Sequence, residues 1–159
     1  MPRDHDRENR LMSLPRPRAS ALVASSAVLG LAVQAWAAAV STPMAVDMSN
    51  RPDGSQVMRL DRSKVPAGKV SFKVKNSSTD MVHEFLVVPT QLTPEQFPMN
   101  KDGSRVDEKK LKGIKELGDL ELGKSGTLAM TLRPGHYVLF CNEPGHFKGG
   151  MYAELAVAK

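Results

Sequence analysis

From Gly135 to Val157 the chain reads as strand, loop, strand, and this stretch limits the fold more than any other. In Gly135-His136-Tyr137-Val138-Leu139-Phe140, a period of two puts Tyr137, Leu139 and then Cys141 on one face. In Tyr152-Ala153-Glu154-Leu155-Ala156-Val157 the same period puts Met151, Ala153, Leu155 and Val157 on one face. The loop between is rich in Pro and Gly and runs Cys141-Asn142-Glu143-Pro144-Gly145-His146-Phe147-Lys148-Gly149-Gly150. Both strands therefore turn their apolar side the same way, with Cys141 and Met151 pointing inward where the loop begins and ends.

The rest of the chain repeats that rhythm. Met44, Val46 and Met48 alternate with Ala45 and Asp47, and Val57-Met58-Arg59-Leu60 is a second short strand. Pro and Asp-Gly mark a turn at 51–55, and Val65-Pro66-Ala67-Gly68 reads as another. Val70, Phe72 and Val74 form a half-buried strand, and Met81 to Val88 is an apolar run stopped by Pro89, with His83, Phe85 and Val87 on one face. A Gly123–Gly126 turn leads to the strand Thr127 to Leu132, and Arg133-Pro134-Gly135 is a tight turn. Many short strands separated by turn residues predict an all-β sandwich.

Residues 90–120 break the rhythm. Thr93-Pro94-Glu95-Gln96-Phe97 predicts a helical turn with Thr93 as its cap and proline first inside. Leu111, Ile114 and Leu117 predict an amphipathic helix over 107–117, weakened by Gly113 and ended by Gly118. Lys109, Lys110, Lys112 and Lys115 suggest a basic docking patch, but from Lys101 to Glu121 six basic residues meet six acidic ones, so a solvated face is the expectation.

The first part of the chain reads as an address rather than as fold. Five arginines between Met1 and Arg18 precede an uncharged small-residue run from Ala19 to Ala35, then Ala35-Trp36-Ala37. That order is a secretory signal peptide. Cleavage is expected after Ala37, with Ala39 as the other site, and a membrane anchor that is never cut as the competing reading. There is no twin-arginine pair, so export of the unfolded chain and metal loading outside the cytoplasm are expected. Removing 1–37 takes away five Lys/Arg and three Asp/Glu, and the formal net charge falls from +5 to +3. The 38–159 remainder is one domain with no charge excess that points to nucleic acid.

A lone cysteine in an exported chain forms no internal disulfide; it is an intermolecular bridge, a free thiol or a ligand. The spacing to His146 and Met151 favours a ligand. Thiolate suits Cu(I), imidazole suits both copper states, and a weak thioether completes a trigonal site, so two His, one Cys and one Met make the blue-copper set. Zinc asks for four firm ligands, which this set lacks. His83 supplies the second imidazole; taken alone it would be a hydrogen-bonded core histidine. His136, on the face opposite Tyr137, reads as a surface residue.

Gly135-x-Tyr137-x-x-Phe140-Cys141, the Cys-x4-His-x4-Met loop and the single upstream His83 opening a Phe/Val strand together resemble the cupredoxins, the small blue-copper proteins of the plastocyanin and azurin type. The likeness runs from about Val65 to Val157, apart from the insertion. The resemblance implies a Greek-key sandwich with a short helical insertion around 90–120. It implies one type 1 copper ion bound by His83 and His146 through Nδ1, by the Cys141 thiolate, and weakly by Met151. It implies a backbone N–H from position 84 to the Cys141 sulfur, and a solvent-facing His146 edge within an apolar collar of Pro144 and Phe147. The family often has Asn after the upstream histidine. Here that position is Glu84, and Asn142 is expected to invert the pairing by donating to the Glu84 carboxylate.

The function expected is one-electron transfer between redox partner proteins by an exported, periplasmic monomer, with no enzyme activity of its own. A copper-binding or delivery protein using the same ligands is the alternative, and a plain interaction sandwich is a third. No nucleophile–base set, paired carboxylates or phosphate loop stands elsewhere in the chain, and a two-copper centre would need a second cysteine.

Overall fold

The alternation at Met44, Val46 and Met48 becomes a strand with those three side chains buried and Pro43 and Ala45 exposed. A computed structural model describes residues 41–159. The signal peptide and its cleavage sites after Ala37 or Ala39 lie outside the described residues. The described chain forms nine strands: β1 (Thr42–Asn50), β2 (Gln56–Leu60), β3 (Lys64–Pro66), β4 (Gly68–Asn76), β5 (His83–Pro89), β6 (Lys115–Leu120), β7 (Ser125–Leu132), β8 (Gly135–Phe140) and β9 (Tyr152–Ala158). They make a four-stranded sheet in the order β2-β1-β4-β7 and a five-stranded sheet in the order β3-β9-β8-β5-β6. β1 pairs with β4 in parallel, as does β3 with β9; the remaining neighbours are antiparallel.

The all-β sandwich is as read, and its core is built from the predicted faces. Met44, Val46 and Met48 meet Val70, Phe72 and Val74, then Phe85, Val87, Tyr137, Leu139, Cys141, Met151, Leu155 and Val157. Phe72 and Phe85 touch across the sheets with ring centroids 5.7 Å apart. Each is fully buried, and burying a phenyl side chain contributes about 1.5–3 kcal/mol. At the β7–β8 turn the Tyr137 hydroxyl accepts the Arg133 N–H at 3.0 Å and donates to the Arg133 carbonyl at 3.1 Å. Tyr137→Phe is expected to lower the stability of the metal-free protein by about 1 kcal/mol, the net value of such bonding. A urea titration measures it, and an unchanged midpoint would mean that water replaces the phenol.

Three expectations are corrected. Val65-Pro66 is not a turn: both lie in β3, where Val65 is buried and the edge position suits a residue without an N–H. The helix over 107–117 does not form. Only a 3-10 turn, Glu108–Lys110, appears there, beside the predicted turn at Pro94–Gln96. Gly113 has φ +78°, outside any right-handed helix, and 115–120 pairs with β5 around a bulge between Phe85 and Leu86. The three helix-spaced apolar residues also go to different places: Leu117 packs on the core between the sheets, Leu111 and Ile114 on a second cluster outside it. A single helical stripe cannot do both. Lys124 N–H closes a turn onto Glu121 O at 3.0 Å, so β7 starts at Ser125, two residues before the expected Thr127.

The second cluster explains the 90–120 insertion. Leu86, Val88, Val138 and Phe140 are the outer faces of β5 and β8, and they are buried under Phe97, Val106 and Phe147. The insertion therefore covers the outside of the five-stranded sheet. β5 and β8 are buried on both faces, which is why both read as unbroken apolar runs.

Candidate metal centre

β5 and β8 are neighbours, and their ends deliver two of the four predicted ligands. His83 is the first residue of β5 and faces inward, completely buried. Cys141 follows the last residue of β8, also completely buried, and its N–H donates to the Met151 carbonyl at 3.0 Å. The chain then winds tightly through Gly145 and Gly149. His146 N–H donates to Glu143 O at 3.0 Å, Gly149 N–H to Gly145 O at 2.9 Å, and Met151 N–H to His146 O at 3.0 Å. A side chain at Gly149 would meet Gln56 Cγ at 2.8 Å, so glycine is what lets the loop lie against β2. This winding carries His146 back over Cys141.

Three donor atoms converge as a result. His83 Nδ1 and His146 Nδ1 are 3.2 Å apart, and Cys141 Sγ is 3.4 Å from the second and 4.0 Å from the first. The point equidistant from the corners of that triangle lies about 2.1 Å from each, the length of a metal bond to imidazole and close to that for thiolate. Burial, helped by the neighbouring His146, pushes the His83 pKa down to about 4; burial lowers that of His146 too. A neutral imidazole with a free Nδ1 lone pair is what a metal needs. Burial pushes the Cys141 thiol up to about 11, so capture of a cation as the thiolate releases a proton. The Glu84 N–H donates to Cys141 Sγ at 3.3 Å, as the motif implied. His83 Nε2 is buried with no hydrogen-bond partner among the described residues. One sulfur and two imidazole nitrogens at these spacings fit one type 1 copper ion.

Two methionines adjoin the three donors along the chain or through backbone bonds. Met151 is completely buried where β9 begins, tied through its backbone to Cys141 and His146. Met81 stands two residues before His83, and its sulfur accepts from Gln56 Nε2 at 3.5 Å. His83, Cys141 and His146 are together; His136 is not with them. It bonds Thr90 O at 2.9 Å and Glu154 Oε2 at 2.8 Å.

Two expectations about the surroundings fail. Asn142 does not donate to Glu84. Its side chain is buried and pairs with the insertion: Oδ1 accepts from Val106 N at 2.7 Å, and Nδ2 donates to Val106 O at 3.2 Å and Glu108 Oε1 at 2.6 Å. The Glu84 carboxylate instead lies 3.9 Å from Arg105 and near Asp119 and Glu143. Burial first, and then the charges of Glu108, Asp119 and Glu143, push its pKa up to about 7. Nor does Phe147 join a collar around His146. Pro144 is exposed, but Phe147 is 5% exposed and packs into the outer cluster beside Phe97, Phe140 and Tyr152. Sequence reasoning also missed Arg105 and Glu108. The signal was indirect: unbroken apolar runs at 85–88 and 137–140 imply that something covers the outer face, and that cover carries these two residues.

No family model matches this chain, and no curated protein matches it. Solved structures do. The chain is similar to an auracyanin from the photosynthetic bacterium Roseiflexus castenholzii, in its dithionite-reduced form, at 23% identity and a TM-score of 0.51; the match covers 76% of this chain and 99% of that one. It is similar to auracyanin B at 19% identity and a TM-score of 0.50, covering 76% and 91% of the two chains. It is similar to rusticyanin from Thiobacillus ferrooxidans at 17% identity and a TM-score of 0.51, covering 75% and 79%. The chain has the cupredoxin fold. Within that cupredoxin fold the three converging donors occupy the end of the sandwich where β5 begins and β8 ends.

Proposed function

We propose that this protein is an exported one-electron carrier that works through a single type 1 copper ion bound by His83, Cys141, His146 and Met151. The observation that carries the reading is the convergence of His83 Nδ1, Cys141 Sγ and His146 Nδ1 at metal-bonding spacing, with two of the three residues fully buried. Bound copper supplies the exchange of one electron between its Cu(I) and Cu(II) states. The chain's own residues do the rest. The sandwich keeps water from Cys141 and His83. The Glu84 N–H holds the sulfur, and strands fixed on both sides hold the donors in one geometry, which suits electron transfer because little has to move. His146 is the partly exposed donor, so its ring edge is where a redox partner protein would exchange electrons. The likeness to auracyanin and rusticyanin supports a carrier rather than an enzyme, the signal-peptide pattern in the sequence of 1–37 supports work outside the cytoplasm, and the carrier proposed is a monomer.

Titrating the purified metal-free protein with Cu(II) is expected to give one equivalent of binding, an intense visible charge-transfer band and reversible one-electron reduction. Colourless binding, or metal that exchanges freely to a chelator on reduction, would instead favour copper delivery. Met151→Leu is expected to keep the colour and shift the reduction potential, because a weak axial thioether tunes the potential. Met81→Leu is the matched control. If Met81→Leu moved the potential and Met151→Leu did not, the axial role would pass to Met81.

A further inference from the structure

The segment that follows Cys141 is held from outside the sandwich. Residues 98–108 form a small arm. Met99 bridges Val106, Asn100 N–H donates to Arg105 O at 2.9 Å, and Asp107 N–H donates to Pro98 O at 2.8 Å. From this arm the Arg105 guanidinium forks onto two consecutive residues of the metal loop. Nη1 donates to Asn142 O at 2.7 Å, and Nη2 to Glu143 Oε2 at 3.0 Å. Ser104 O accepts the Gly145 N–H at 2.8 Å. The Asn142 amide meets both polar groups of the Val106 backbone, as one more rung of a ladder would. The Asn142 carbonyl and side chain, the Glu143 carboxylate and the Gly145 N–H are thus met by the arm. None of these bonds requires a metal.

We propose that Arg105 is a positioning residue for the metal loop: its fork fixes Asn142 and Glu143 so that the Cys141–His146 span holds its binding geometry before any metal arrives. The connection to copper rests on the reading of the cluster given above. Two physical consequences separate this role from ordinary surface pairing. A rigid planar fork makes two directed bonds, which a lysine cannot reproduce. Arg105 also places a positive charge among Glu84, Glu108 and Glu143, next to the residue that follows the thiolate. Removing it favours the more highly charged metal state, so the reduction potential falls.

The test uses the full-length protein with Arg105→Met, Arg105→Lys and, as a charge control just past the arm, Lys110→Met, whose native partner is Asp107 at 3.1 Å. In the metal-free state, amide exchange at Gly145 and His146 is expected to rise at least tenfold in Arg105→Met while Leu139 in β8 keeps its wild-type rate. With Cu(II) added, loss of metal to a chelator is expected to be at least tenfold faster and the potential lower. Arg105→Lys is expected to recover the potential but not the slow exchange, and Lys110→Met to resemble wild type in every readout. Exchange at Gly145 and His146 within twofold of wild type in Arg105→Met would overturn the proposal. Should Arg105→Met fail to fold, Arg105→Lys decides: a rise of threefold or more at Gly145 supports the fork, and a smaller one overturns it. If wild type binds Cu(II) without a charge-transfer band, the copper reading falls, and the exchange measurements on the metal-free protein still decide the role of Arg105.

Discussion

Cys141→Ser is expected to abolish the visible colour of the copper-loaded protein completely. Charge transfer of this kind needs a thiolate donor, and Cys141 is the only cysteine in the chain. Serine keeps the shape of the side chain and accepts the Glu84 N–H in place of sulfur, so the sandwich survives. A hydroxyl in that wholly buried position costs at most about 1–3 kcal/mol if it is left without a full set of partners. The substitution therefore separates metal chemistry from folding. Absorbance of Cu(II)-titrated protein reads the first, and a urea titration of metal-free protein reads the second. An intense band surviving in Cys141→Ser would overturn the ligand assignment.

Phe147→Ala is expected to cost about 3–5 kcal/mol of stability, the range for truncating a well-packed buried phenylalanine. The ring lies 5.1 Å from Phe97, 5.6 Å from Phe140 and 5.3 Å from Tyr152, centroid to centroid. It joins the metal loop, the insertion, β8 and β9 in one cluster, and alanine would leave a void that those elements cannot close together. Because Phe147 is the next residue after His146, the loss is expected to reach the metal as well, with faster release of copper to a chelator. Unfolding of the metal-free variant by urea gives the stability, and a loss under about 1 kcal/mol would mean that Phe147 is only loosely seated. A collar residue at the surface would cost little, so the same measurement tells an anchor from a rim.

The strand faces were legible because a period of two survives wherever one side of a strand meets the core; Met44, Val70, Leu139 and Leu155 all fall where alternation puts them. The donors were legible for a related reason. Cys141 sits at the end of a readable strand and His83 at the start of another, and only the pairing of β5 with β8 was needed to join them. The insertion was misread because helical spacing and a segment that crosses from one apolar layer to another look alike in one dimension. Leu111, Ile114 and Leu117 satisfy the helical rule by number and serve two different surfaces. The partners of Asn142 are not among the residues that the sequence places near Cys141. The true partners, Val106 and Glu108, arrive by a fold of the insertion that local pattern does not encode.

The order of strands in the larger sheet has a consequence for how the protein is made. β9 lies between β3 and β8, and Met151, the residue just before it, supplies the carbonyl that receives the Cys141 N–H. β3 is thus held to the sheet only through a strand translated some ninety residues later, as the pairing of Lys64 with Ala156 requires. A growing chain that has reached Phe140 owns His83 and most of its apolar core, yet it has neither the other donors nor the strand that closes the sheet. Assembly of the centre therefore waits until β9 has joined the sheet between β3 and β8.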